Sequence, residues 1–195
     1  IVQRIEYAND TATAAVKGSL SLDRKNHTAS GNINYGYNAG GHINPGFTAT
    51  SSTDRIDYAS DTSTATPKGT LTYSAAIRGS TSNTSYGWFG GGNPSPLASN
   101  IDRLDFSNDT ATASPRGPLS SAKTSMGSAG NASYGYFAGG TEGPSGLSTV
   151  NRIDYSSDTG TTPTKGPLSS ARESLWGFGN SSYGYFGGDY PGSIT

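Results

Sequence analysis

Apolar and polar positions in this chain alternate in short runs and show no helical spacing anywhere. The stretch from residue 125 to residue 172 shows the pattern most clearly. Ser125-Met126-Gly127-Ser128-Ala129 predicts a strand of small residues, and Gly130-Asn131-Ala132-Ser133 a turn. Tyr134-Gly135-Tyr136-Phe137-Ala138 predicts an aromatic strand that stops at Gly139-Gly140, before a polar loop over residues 141–148. Val150-Asn151-Arg152-Ile153-Asp154-Tyr155 then alternates strictly. Val150, Arg152 and Asp154 share one face; Asn151, Ile153 and Tyr155 share the other. Ser157-Asp158-Thr159 predicts a turn held by Asx-type bonding of the aspartate to its own backbone. A Thr-rich strand runs on to Lys165-Gly166-Pro167-Leu168. The unit therefore contains four short antiparallel strands.

This unit is written four times. Arg4-Ile5-Glu6-Tyr7, Arg55-Ile56-Asp57-Tyr58, Arg103-Leu104-Asp105-Phe106 and Arg152-Ile153-Asp154-Tyr155 are one motif. Each is followed 13 residues later by a basic residue and glycine, at Lys17, Lys68, Arg116 and Lys165. Another 18 residues on comes Tyr-Gly-aromatic, starting at Tyr35, Tyr86, Tyr134 and Tyr183. The period of 48 to 51 residues, with four strands in each period, is the signature of an all-β β-propeller built from four-stranded antiparallel blades. A β-solenoid is the competing architecture, but its coils are usually shorter.

The order of the unit resembles a kelch repeat. Gly139-Gly140 matches the kelch double glycine and Tyr155 its tyrosine. Gly166-Pro167-Leu168 with Arg172 is similar to the stretch before its first strand. The resemblance covers the whole chain. The kelch tryptophan of the outer strand is absent, its place taken by Val16, Pro67, Pro115 or neighbours, so blade packing should differ in detail. The near-identical wording of the units, from Arg152-Ile153-Asp154-Tyr155 to Tyr183-Gly184-Tyr185-Phe186-Gly187-Gly188, also resembles tandem-repeat proteins of marine bacteriophages. That likeness implies a fibre or virion surface.

The chain starts just before the Tyr strand of a unit and stops just after a Gly-Gly. Counted around the circle, Tyr183 to Arg4 is 16 residues, against 20, 17 and 18 inside the chain. The expectation is a single propeller over residues 1–195, with a composite blade from 171–188 plus 1–17 and further blades at 24–68, 75–116 and 123–165. A composite blade leaves no open sheet edge between first and last blades. A four-bladed ring, an eight-bladed ring of two chains, and a window of a longer array all fit this phase.

Composition removes several function classes. Apolar residues make up 31% of the chain, yet 12 Tyr, 6 Phe and 2 Trp recur at fixed positions and the net charge is −1. Disordered chains lack aromatics and carry charge, so short strands joined by turns are the better reading of the 28 glycines. With no cysteine there is neither a disulfide nor a thiolate metal site. Thirteen basic against 14 acidic residues leave no footprint for nucleic acid, and no apolar stretch is long enough for a membrane-spanning helix.

Features present in every unit read as scaffold. Arg4, Arg55, Arg103 and Arg152 with their strand carboxylates Glu6, Asp57, Asp105 and Asp154 predict repeated cross-strand or inter-blade ion pairs. Tyr35, Tyr86, Tyr134 and Tyr183 predict aromatic core, and Asp10, Asp61, Asp109 and Asp158 predict Asx turns. All length variation falls between Gly-Gly and Arg, in loops that each carry a proline. Repeat proteins place such insertions on one face, often the binding face. The candidate binding residues are accordingly His42, Asn44, Phe47, Asn93, Ser95, Glu142, Ser145, Asp189 and Tyr190. Two histidines, His27 and His42, and no triad or metal spacing give catalysis little to stand on. The expected protein is a non-enzymatic structural or adhesive module without cofactor or metal, placed on an extracellular or virion surface. It would bind glycan or protein through the loops and possess the means to self-associate into a larger ring or array. The alternative is an intracellular kelch-type interaction scaffold.

Overall fold

A computed structural model describes residues 1–94 and 96–188. Among the described residues there are nineteen strands and two one-turn 3₁₀ helices, and no helix there is long and apolar enough to cross a membrane. The first blade comprises β4 (Thr28–Gly31), β5 (Tyr35–Ala39), β8 (Thr53–Asp57) and β9 (Thr66–Lys68). A small sheet of β3 (Arg24–Lys25), β6 (His42–Ile43) and β7 (Thr48–Ala49) is attached to it by the chain. The second blade is β10 (Gly79–Ser82), β11 (Tyr86–Gly90), β12 (Ile101–Asp105) and β13 (Ser114–Arg116). The third is β14 (Gly127–Gly130), β15 (Tyr134–Ala138), β16 (Val150–Asp154) and β17 (Thr164–Lys165). All pairings within the blades are antiparallel, in sequence order, with Tyr37↔Arg55, Trp88↔Arg103 and Tyr136↔Arg152 in register.

Two half-blades flank these three sheets. β1 (Val2–Arg4) pairs with β2 (Ala15–Lys17), and β18 (Trp176–Gly179) pairs with β19 (Gly184–Gly187). They are separate two-stranded sheets. The two parts of the expected composite blade are therefore both present, and they are not joined. The β18–β19 pair packs on β14 of the third blade. The β1–β2 pair is tied to the first blade, where Gly18 N donates to Asp61 O at 2.8 Å.

The core lies between blades. In antiparallel strands that are covered on both sides, residues of both faces are buried, so Tyr37, Trp88, Phe89, Ile101, Leu104 and Phe137 are all 0–1% exposed. Each hairpin between the first and second strand of a blade is closed by an asparagine. Asn32, Asn83, Asn131 and Asn180 each accept through Oδ1 from the backbone N–H two and three residues on, at 2.8–3.0 Å. This is the Asx turn that Asn supports by mimicking a backbone carbonyl.

Candidate binding face and the joints between blades

Repeated residues build the joints first. Asp109 of the second blade accepts from Tyr37 Oη at 2.9 Å and pairs with Arg55 at 2.8 Å and Lys68 at 3.1 Å, all from the first blade. Asp158 of the third blade accepts from Trp88 Nε1 at 2.9 Å and pairs with Arg103 at 3.0 Å and Arg116 at 3.3 Å. Burial alone would raise the Asp109 carboxyl, but the bonds from Tyr37 and Lys68 and the charges of Arg55 and Lys68 hold it below its ordinary value. Burial, with the Asp109 carboxylate alongside, holds the Tyr37 phenol protonated far above its ordinary range.

The backbone repeats the same joint. Gly69 N donates to Asp109 O and Gly117 N to Asp158 O. Ala113 N donates to Thr70 O and Thr162 N to Pro118 O. A Cβ on Gly69 or Gly117 would stand 1.8 Å from Ala111 O or Gly160 O, so only glycine permits this approach. Aromatic stacking completes the contact, Tyr37 on Phe106 at 4.7 Å and Trp88 on Tyr155 at 4.0 Å.

Two sequence expectations exchange roles here. The conserved-position aspartates expected to make Asx turns, Asp61, Asp109 and Asp158, are the ion-pair partners of the repeated arginines and lie in the neighbouring blade. The strand carboxylates expected to form the ion pairs make the turns instead. Asp57, Asp105 and Asp154 accept from the N–H of Ala59, Ser107 and Ser156 at 2.8–3.0 Å. Arg4 also reaches the carboxylate two positions on, Glu6, at 3.5 Å. Arg55, Arg103 and Arg152 lie over the rings of Tyr35, Tyr86 and Tyr134 at 4.3–4.4 Å.

Variable residues converge elsewhere. The connectors that lead into β4, β10, β14 and β18 each place one residue in the left-handed region: Asn26, Ile77, Ser125 and Ser174, at φ 54–57°. For a β-branched residue such as Ile77 this is strained. Backbone bonds hold the strained residues together, Ile77 N to Asn26 O at 2.8 Å and Ser125 N to Ile77 O at 3.3 Å. With the strand starts that follow, they line a cleft of about 580 Å³ bounded by Thr28, Arg78, Met126, Ser128, Leu175 and Trp176. His27 also lines it; its Nδ1 is buried without a partner. Burial and the nearby Arg24 cation keep this imidazole below its ordinary pKa, hence neutral. Among the described residues, no carboxylate lines the cleft.

The Gly-Gly loops leave the second strand of each blade at the end where the connectors run. The two are bonded to each other. Gly41 N donates to Ala75 O, Gly92 N to Lys123 O and Gly140 N to Arg172 O, at 2.9–3.0 Å. His42 pairs in register with Lys25, and its Nδ1 is buried without a partner. Asn44, Phe47, Asn93, Glu142 and Ser145 are exposed; the Lys25 ammonium sits 3.7 Å from the centre of the Phe47 ring. Ser95, Asp189 and Tyr190 lie outside the described residues. The loop candidates thus stand around the connectors, while the cleft itself is lined mostly by residues the sequence reading did not single out. One signal could have found them. Just before the small-residue strand, the columns Asn26/Ile77/Ser125/Ser174 and His27/Arg78/Met126/Leu175 vary between units whose flanks repeat.

Beneath the loops, each internal blade buries one cation. Arg24 pairs with Asp54 at 3.1 Å and Arg78 with Asp102 at 3.4 Å. In the third blade the strand position of those aspartates is Asn151, and the cation is Lys123, which donates to Thr149 O at 3.5 Å. Burial depresses the Lys123 ammonium to about 8, with Glu142 acting weakly against it.

No protein-family model matches this chain. No curated protein matches it either. Among solved structures, one titled "Structure of YjhT" superimposes with a TM-score of 0.73 at 12% identity, over 90% of this chain and 64% of that one. At this identity the likeness speaks for the fold, which is all-β and propeller-like.

Proposed function

We propose that the chain is part of a kelch-like ring and works as a non-enzymatic binding module on an extracellular or virion surface, where it grips a glycan. One observation carries the reading: the residues that differ between units gather at one end of the inner strands, around a cleft of mixed apolar and hydroxyl lining, on a frame whose joints repeat. Small hydroxyl side chains and an exposed Trp176 beside the His27 imidazole suit a sugar, which offers hydroxyls and an apolar ring face. Several such rims on one surface would add by avidity.

The test is a glycan array probed with the whole chain, with His27→Ala, and with a variant carrying residues 141–148 in place of 42–50. The expected result is a defined glycan signal that falls about tenfold or more in both variants at unchanged thermal midpoint. Signals that ignore both changes would sink the reading, as would chemical turnover of the bound glycan. Capture of a surface protein in place of any glycan would move it to the protein-binding class.

A further inference from the structure

Each end of the array carries unfilled halves of the repeated joint, and we propose that the N-terminal half-blade docks on the C-terminal half-blade of a second copy of this chain. The geometry of the internal joints dictates what is missing at the ends. Asp109 and Asp158 each gather an aromatic donor and two cations. The third blade offers the next such set, Tyr136, Arg152 and Lys165, and none of them makes an ion pair among the described residues. Arg152 Nε is buried without a partner. The matching carboxylate is Asp10, one unit beyond Asp158 around the circle and exposed on the N-terminal half-blade.

The backbone tells the same story. Gly166 stands where Gly69 and Gly117 meet a neighbouring carbonyl, yet a Cβ there would meet nothing within 4 Å. Stacking is unfilled on both sides of the gap. Tyr7, the counterpart of Phe106 and Tyr155, is 94% exposed. On the far side, Asp61 holds Arg4 and Lys17 but no aromatic donor. The aromatic due there is Tyr185, which is 51% exposed and sits at the register position of Tyr37 and Trp88. The N-terminal half-blade with the first blade therefore lacks what the third blade with the C-terminal half-blade displays, charge for charge and ring for ring.

Both half-blades are placed in the single chain, and they form separate sheets. The complement we assign to each is the half-blade of another copy. Pairing β1 with β19 across two copies restores a four-stranded blade, covers the exposed Trp176, Phe178 and Tyr183, and repeats the joint already made twice inside each chain.

Charge reversal with complementation tests this. Light scattering on the whole chain should give twice the 20.0 kDa of one copy or more. Asp10→Arg alone and Arg152→Asp alone should each lose association by about tenfold or more. Their equimolar mixture should recover it, because each joint then pairs Arg with Asp again. Gly166→Ala, which adds one methyl into space that is open in the single chain, should keep the thermal midpoint of the isolated chain and block association. A wild-type chain that stays at 20.0 kDa at every concentration overturns the proposal. So does association untouched by the three variants. Recovery in the Asp10→Arg/Arg152→Asp double variant without recovery in the mixture also overturns it, since that pattern means closure within one chain.

Discussion

Two kinds of blade boundary exist in this molecule, and they are built from the same words. Between the first and second blades, and between the second and third, a carboxylate gathers three donors, a glycine meets a carbonyl, and two aromatic rings stack. At the half-blades the same residue types stand at the same register and remain exposed: Tyr7 at 94%, Tyr183 at 67%, Tyr185 at 51%. Trp88 and Tyr37 are 0% exposed. Local sequence is nearly constant across these sites, so the difference in environment comes from whether a neighbour is present. A propeller blade is stable by its neighbours, as in any repeat array, where each unit buries its face against the next.

The largest expected consequence is a contrast between two tryptophans. Trp88→Ala removes a fully buried indole, its stack on Tyr155 and its bond to Asp158, and should cost about 3–5 kcal/mol. Trp176→Ala should cost less than about 0.5 kcal/mol in the isolated chain. Urea unfolding of the two variants at a concentration where the chain is monomeric measures both. Equal losses would mean that the C-terminal half-blade is covered after all.

Next in size is the carboxylate of the joint. Asp109→Asn leaves Arg55 and Lys68 without their counter-charge and should cost about 3 kcal/mol, whereas Asp10→Asn should leave the isolated chain unchanged. The Asp109 carboxyl titrates below its unfolded value. Its contribution is therefore fully present above the ordinary carboxylate pKa of about 4 and is lost as pH falls through the lower folded value. The acid limb of wild-type stability should be steeper than that of Asp109→Asn. Parallel limbs would remove Asp109 from the account.

A smaller contrast lies in the glycines. Gly117→Ala drives a methyl against Gly160 O and should cost about 1–3 kcal/mol, the range for overpacking. Gly166→Ala meets open space and should be neutral in the isolated chain. Differential scanning calorimetry of the pair decides it, and a destabilised Gly166→Ala monomer would place a neighbour at Gly166 within the chain itself.

The repeat made the propeller-like blades legible, because four strands per unit follow from period-2 alternation and turn residues alone. The Arg column was legible as inter-blade ion pairing, but its partner was not. Asp57 and Asp61 are both near the arginine in sequence, and nothing local says which carboxylate turns back on its own loop and which crosses to the next blade. That choice is made by the curvature of the array, which carries Asp109 over Arg55 while Asp57 caps the N–H of Ala59. The lysine-glycine pairs were visible as landmarks, and the reason for the glycine is a carbonyl of another unit. Of the candidate site, the loop residues were readable from length variation. The cleft-lining His27, Ile77 and Met126 were not, since which strand is innermost depends on packing.

The interior joints are not uniform either, and Lys123 shows the smallest effect worth measuring. Arg24 and Arg78 are buried against Asp54 and Asp102, whereas Lys123 is buried where the aspartate is replaced by Asn151. Burial lowers its pKa to about 8, so the folded chain holds this proton less tightly than the unfolded chain does. Below pH 8 the cost of burying the charge is constant; it fades as pH rises from about 8 towards the unfolded value of about 10.4. Stability should therefore climb over that window. Lys123→Met should gain about 1–2 kcal/mol at pH 7 and flatten the climb, because an apolar chain of similar volume replaces an unpaired buried ammonium. The same substitution at Arg78 should destabilise instead, because it strands Asp102 without its cation. Denaturant midpoints of the two variants at pH 7 and pH 9.5 carry the comparison, and a loss of stability in Lys123→Met would show that the ammonium holds a partner whose strength its 3.5 Å bond to Thr149 O does not convey.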